Sequence, residues 1–144
     1  MVTVKDLMNS ELYTLKPTDT IHEARELMVE KRIRNIPIVT DDGKFVGLLT
    51  KQVVLAVSVS ALADIDAQER DELESHVPIS EVMITEVAIA EENTNLNKAA
   101  QFLLQQQHGC LPIFKDGKII GILTESDFVK LALYLMKNMD EYQE

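Results

Sequence analysis

The chain has 144 residues, 46% of them hydrophobic and 26% charged, which suits one ordinary globular domain with a real core. Fourteen Lys and Arg against 24 Asp and Glu leave a net charge of −10, a field that repels a phosphate backbone and argues against nucleic-acid binding. No apolar run reaches the ~18 residues that span a bilayer, since the richest stretch, Val53 to Ala63, is interrupted by Ser58 and Ser60. The opening residues MVTVKDLMNS contain no apolar leader. The single Cys110 cannot form an internal disulfide, which fits a reducing compartment. A cytoplasmic protein without membrane insertion is therefore expected.

In chain order, the first predicted element is a short strand over Leu12 to Leu15. A helix follows, with Thr20 as its cap and Glu23 three residues on, a capping-box spacing. Its apolar stripe is Ile21, Ala24, Leu27 and Met28. The basic run Lys31-Arg32-Ile33-Arg34 comes next. It suits two readings equally: a solvated helix end whose cations complement the dipole, or a small anion site. The apolar strand Ile36 to Val39, the turn DDGK and the strand Phe45 to Leu49 form a hairpin pattern, and a helix starts at Thr50. The segment Ala63 to Ser75 holds six acids and one Arg. With Leu55, Leu62, Ile65 and Leu73 scattered nearby, it is expected to be a helical arm exposed on one side. Pro78 ends it.

From there the chain is written again. At an offset of 75 residues VKDLM (Val4 to Met8) lies over ISEVM (Ile79 to Met83), Ala24 over Ala99, and IPIV (Ile36 to Val39) over LPIF (Leu111 to Phe114). The first copy has one extra residue, DDGK against DGK, and GLLT at Gly47 then lies over GILT at Gly121. The second copy predicts a strand over Val87 to Ala90 and a helix capped by Asn95 with Leu96, Ala99 and Leu103 as its stripe. A hairpin of Leu111–Phe114 with Ile119–Leu123 follows, then a helix from Thr124. The fold class is α/β (α+β): two pseudo-symmetric β-α-β-β-α repeats packed sheet to sheet. The first two strands of each repeat are parallel, because a helix joins them. The expected domains are a first repeat over 1–62, a helical connection over 63–78, and a second repeat with a C-terminal helix over 79–144.

This ordered duplication resembles a tandem pair of CBS domains, also called a Bateman module. The likeness rests on the apolar-Pro-Ile strand and the Gly-apolar-apolar-Thr-x-x-Asp phrase, each in its place twice except for one Asp. The resemblance implies binding of adenine compounds (AMP, ADP, ATP or S-adenosylmethionine) in clefts between the repeats, and assembly as a homodimer. Carried onto this chain, one cleft combines Thr124, Ser126 and Asp127 with Leu12, Tyr13, Arg34, Asn35, Ile36 and Pro37. Asp127 would accept from ribose hydroxyls, Arg34 would donate to phosphate, and Ile36 with Leu12 would sandwich the base. The second cleft would pair Thr50 and Val53 with Val87, Ala88, Gly109, Cys110, Leu111 and Pro112. It departs from the family pattern, since Val53 accepts no hydrogen bond and Gly109 carries no charge, with His108 a weak substitute. One competent site is expected.

Other readings of the same residues are plainer. Thr124-x-x-Asp127 is also what a helix N-terminus uses for its own capping. Cys110 with His108 lacks the third orienting group of a catalytic set, so no enzyme is expected. His22, His76 and His108 lie far apart with no ligand spacing, so no metal site and no obligatory cofactor are expected. The apolar stripe Phe128, Leu131, Ala132, Leu135, Met136 and Met139 suits a core or subunit interface better than a membrane face. The expected function is regulatory: sensing an adenine ligand and acting through a dimer or an unknown regulated protein. The alternative is a non-sensing dimerisation or scaffold protein on the same fold.

Overall fold

The computed structural model of the chain describes residues 2–60 and 65–142. Its elements are helix α1 (Val4–Leu7), helix α2 (Ile21–Lys31), strands β1 (Asn35–Val39) and β2 (Phe45–Thr50), and helices α3 (Lys51–Ser60) and α4 (Ala67–Glu74). After a 3₁₀ turn at Ile79–Glu81 come strand β3 (Ala90–Glu91), helix α5 (Leu96–Gln105), strands β4 (Cys110–Lys115) and β5 (Lys118–Thr124), and helix α6 (Glu125–Tyr142). Residues 61–64, which the sequence places at the end of the first repeat and the start of the connecting segment, lie outside the described residues. The helical arm itself is α4, capped by Asp66, whose Oδ1 accepts from the Glu69 N–H at 2.8 Å. No helix among the described residues is long and apolar enough to cross a membrane.

Local chemistry explains the starts and turns. Thr20 Oγ1 accepts from the Glu23 N–H at 3.3 Å and Asn95 Oδ1 accepts from the Lys98 N–H at 2.8 Å, so α2 and α5 begin at the predicted caps. The single-residue gap between the copies is a change of turn. β4 and β5 are joined by Asp116-Gly117 alone, both at positive φ (52° and 79°), the geometry of a two-residue hairpin. In the first copy Asp41-Asp42-Gly43 fills a three-residue loop closed by the Thr40 N–H on the Lys44 carbonyl at 2.8 Å. Both hairpins carry an irregularity at the same place, between Ile38 and Val39 and between Ile113 and Phe114.

The first strand of each repeat is shorter than the sequence suggests. Over Leu12–Leu15 only Leu15 pairs, as a parallel bridge to Ile38, and Pro17 two residues on has no N–H to extend the ladder. In the second copy the pairing falls on Ala90–Glu91, parallel to Ile113–Phe114. The parallel sense is the one expected of strands joined by a helix.

The chain forms two compact units, one of Tyr13–Val87 and one of Met1–Leu12 with Ala88–Glu144. Each repeat as counted along the sequence has thus given its leading segment to the other. In the Tyr13–Val87 unit, Ile79 joins Ile21, Ala24, Met28, Ile36, Ile38, Leu49 and Val54 in one buried cluster. In the other unit Val4 joins Ala90, Ala99, Leu103, Leu111, Ile113 and Leu123. The exchange is pseudo-symmetric: Asn9 pairs with Ile122 and Ile84 pairs with Leu48, each by two backbone hydrogen bonds of 2.8–3.0 Å.

This crossing explains the glycine of the repeated phrase. A Cβ on Gly47 would come 2.8 Å from Met83 Sδ and 3.0 Å from the Ile84 carbonyl oxygen. One on Gly121 would come 2.6 Å from Met8 Sδ and 3.1 Å from the Asn9 carbonyl oxygen. Only a residue without a side chain lets the leading segment lie this close to the strand.

Candidate functional site

Thr124, Ser126 and Asp127 sit together where β5 passes into α6. Thr124 is the last strand residue, so its N–H and hydroxyl both face the opening turn of the helix. Asp127 Oδ2 accepts from the Thr124 N–H at 2.9 Å and from its hydroxyl at 3.2 Å. The Thr124 and Ser126 hydroxyls lie 2.9 Å apart. Asp127 is therefore a helix cap, as the plainer reading of the sequence has it. It is also half-buried rather than sealed off, and a carboxylate has more acceptor positions than these two donors occupy. The positive end of the α6 dipole adds attraction for an anion.

The equivalent junction in the other unit, β2 into α3, is built differently. Thr50 is buried, and its Oγ1 accepts from the Val53 N–H at 3.2 Å. Val53 packs against the core of its own unit. The two copies thus use opposite halves of the capping box. Thr50 caps with its hydroxyl on the third N–H, while Asp127 caps with its carboxylate on the N-cap N–H. A side chain that points into apolar surroundings has no use for a charge, which accounts for Val at position 53.

Leu12 is half-buried in the unit that contains α6. The remaining proposed residues belong to the Tyr13–Val87 unit. Tyr13 is half-buried with Lys31 Nζ 5.3 Å from its ring centroid, a cation–π contact. Arg34 is exposed, and its carbonyl accepts from the Lys51 N–H at 2.8 Å, which ties the strand entrance to the start of α3. Asn35 is half-buried and pairs with Thr50 across the hairpin. Pro37 is fully buried. Ile36 corrects the expectation that it sandwiches a base: it is fully buried within its unit's core cluster, so only its backbone is available to a ligand. Strand alternation forces this, because Ile36 and Ile38 share a face and that face meets α2.

The residues of the second set lack charge. Burial holds the His108 imidazole below its ordinary value, so at neutral pH it does not replace a cation. Cys110 is buried and unpaired by disulfide. Burial, helped by the charge of Asp127, pushes its thiol up to about 12. A thiol held there offers no nucleophilic thiolate at neutral pH.

Sequence spacing missed a second constellation. His22 on α2 lies with Asp71 and Glu74 on α4, donor atoms within 4.8 Å of one another. The carboxylates are about fifty positions from the histidine, so no local motif announces them. Glu74 is buried and takes a bidentate pair from Arg25, at 2.9 Å from Nε and 2.7 Å from a terminal nitrogen, plus the Ser58 hydroxyl at 2.8 Å. A groove of about 430 Å³ runs nearby, lined by Glu69, Glu72, Leu73 and His76. Its two carboxylates make it unsuited to a phosphate.

A duplicated α+β unit, with a Thr at each strand-to-helix junction and an exchanged leading segment, defines a tandem-repeat module. The CBS-domain family model matches residues 4–60 and 79–134, and the chain belongs to that family. It is 34% identical over 138 residues to the CBS domain-containing protein YhcV of Bacillus subtilis, covering 96% of this chain and 89% of that one. With the chloroplastic CBSX1 of Arabidopsis thaliana it shares 32% identity over 148 residues, covering 90% of this chain but only 63% of the relative. The solved structure of CBSX2 in complex with AMP, the Arabidopsis protein, superposes with a TM-score of 0.75 at 30% identity, over 94% of this chain and 99% of that one.

Proposed function

We propose that this CBS pair is a cytoplasmic regulatory module that binds an adenine compound and acts through a homodimer or a regulated partner protein, without catalysing a reaction. The observation that carries this reading is Asp127: a half-buried carboxylate at the first turn of α6, present in one copy of the phrase and replaced by a core-packed Val53 in the other. In this reading the ribose hydroxyls donate to Asp127, with Thr124 and Ser126 beside it. Arg34, exposed and without a salt bridge among the described residues, donates to the phosphate. Leu12, Tyr13 and Asn35, with the backbone of Ile36 and Pro37, complete the surroundings of the base. The AMP complex of a relative at 30% identity supports this class of ligand, with ADP, ATP and S-adenosylmethionine as its chemical neighbours. A ligand regulates only through its affinity difference between two arrangements of the protein.

The test is calorimetric titration of the parent, Asp127→Ala and Thr50→Ala with AMP, ADP, ATP and S-adenosylmethionine. A hydrogen bond to a charged group contributes ~1.5–3 kcal/mol. Asp127→Ala is therefore expected to weaken binding roughly ten- to a hundredfold, while Thr50→Ala binds like the parent. Losing the cap costs the fold ~1 kcal/mol, so a melt should show Asp127→Ala still folded. If Thr50→Ala loses binding and Asp127→Ala does not, the working site is the other one. If the parent binds none of the four, the scaffold reading replaces this one. Its physical basis is that Asp127 already serves α6 as a cap.

A further inference from the structure

We infer that His22, Asp71 and Glu74 form a binding site for a divalent transition metal of the zinc type, clamping α4 to α2 within the Tyr13–Val87 unit. The inference starts from the His22 ring. Its Nε2 lies 3.0 Å from Glu26 Oε1, one helical turn on. With a ring proton directed at that carboxylate, Nδ1 is the nitrogen that carries the lone pair of a neutral imidazole. Nδ1 is shut off from solvent and has no hydrogen-bond partner among the described residues. It faces Asp71 Oδ1 at 3.7 Å, too long for a hydrogen bond. In that tautomer two electron-pair donors face each other at this separation, an arrangement that a cation stabilises. Metal–nitrogen and metal–oxygen bonds of ~2.0–2.2 Å place the two donors of a tetrahedral site about 3.4 Å apart.

Glu74 supplies the third donor. Its Oε1 accepts from Arg25 and Ser58, and its Oε2 accepts from the Arg25 Nε alone. Oε2 keeps a free lone pair while the fork of Arg25 fixes its direction. Metal-binding carboxylates are commonly oriented in this way by a hydrogen-bonding neighbour. Arg70 stands 3.9 Å from Asp71 Oδ1, so the site carries nearby positive charge that weakens rather than abolishes attraction for a dication. One imidazole nitrogen and two carboxylate oxygens suit zinc; magnesium and calcium prefer more ligands, all oxygen. Three protein donors leave a fourth position for water.

The proposal is independent of nucleotide binding. The experiment titrates ZnCl₂ into the full chain against a chromophoric zinc chelator, with a thermal melt alongside. The parent should bind one zinc per chain and melt higher with zinc present. His22→Ala and Asp71→Asn should each weaken binding at least tenfold and remove the zinc-dependent rise in melting temperature, while melting without zinc near the parent. His76→Ala, a histidine just past the end of α4 whose Nδ1 lies 2.8 Å from the Glu72 carbonyl oxygen rather than in the cluster, should leave both readouts unchanged. Glu74→Gln is not relied on, because it disturbs the buried Arg25 pair. No zinc binding by the parent overturns the proposal. So does binding unchanged in His22→Ala or Asp71→Asn, or binding lost in His76→Ala.

Discussion

Val53 and Asp127 occupy the same place in a repeated phrase, and the difference between them follows from what each side chain meets. Val53 packs on an apolar cluster, while Asp127 accepts from the Thr124 N–H at the cap of α6. The glycines of the phrase, by contrast, are the same in both copies for a reason of space. At Gly47 the obstacle is the Ile84 carbonyl oxygen, a backbone atom held by its own ladder bonds, so it cannot swing aside as Met83 Sδ can. Gly47→Ala is expected to destabilise the protein by ~1–3 kcal/mol, the usual cost of an extra group in a packed interior. Urea unfolding checks this, and a midpoint equal to the parent's would mean the segment crosses more loosely than described. From the sequence, Asp127 was legible as a cap and as a candidate ligand group, since both roles use the same spacing. The burial of Ile36 was not, because a strand that is apolar on both faces does not say which of them meets a helix. His22 with Asp71 and Glu74 was invisible for a different reason: only tertiary folding brings α4 to α2.

At the scale of elements, the duplication made the helices, hairpins and turns readable, because caps, periodicity and Asp-Gly turns are local signals that occur twice. The shortened first strands escaped that logic, since a pair of backbone bonds beside Pro17 leaves little trace in composition. The exchange of leading segments escaped it entirely. VKDLM and ISEVM are alike, so sequence likeness cannot say which repeat each one covers. The structure puts Ile79, fully buried, in the cluster with Ile21 and Ile38. Ile79→Ala should therefore destabilise by ~2–5 kcal/mol, as removal of a buried aliphatic group does. Its local effect should fall on the opposite repeat. Amide exchange at Ile36–Val39 and Leu48–Leu49 should accelerate, while Leu111–Ile113 changes less. Faster exchange confined to Leu111–Ile113 would show that the segment serves its own repeat.

For the whole molecule, the apolar surface decides what remains to be covered. Phe128 packs against the core of its unit, but α6 continues well beyond that contact. Leu133, Tyr134 and Met136 are 60%, 61% and 53% exposed, and Val129, Leu135 and Met139 lie exposed beside them. Val129, Leu133 and Met136 recur at helical spacing, so they form one stripe rather than scattered single residues. Stripes of that size on small proteins mark interaction surfaces. A second copy of the chain is the partner that the proposed regulatory module supplies at every concentration of itself. Self-repulsion from a net charge of −10 opposes this association weakly, because salt at physiological strength screens charges beyond ~8 Å. Sedimentation at micromolar concentration should therefore give twice the chain mass. Leu133→Glu, which places a carboxylate in the stripe without touching either buried cluster, should shift the protein toward single chains and leave its thermal unfolding cooperative. A parent that sediments as a single chain at that concentration would remove the homodimer from the proposed function. A Leu133→Glu protein that stays dimeric would move the interface off α6.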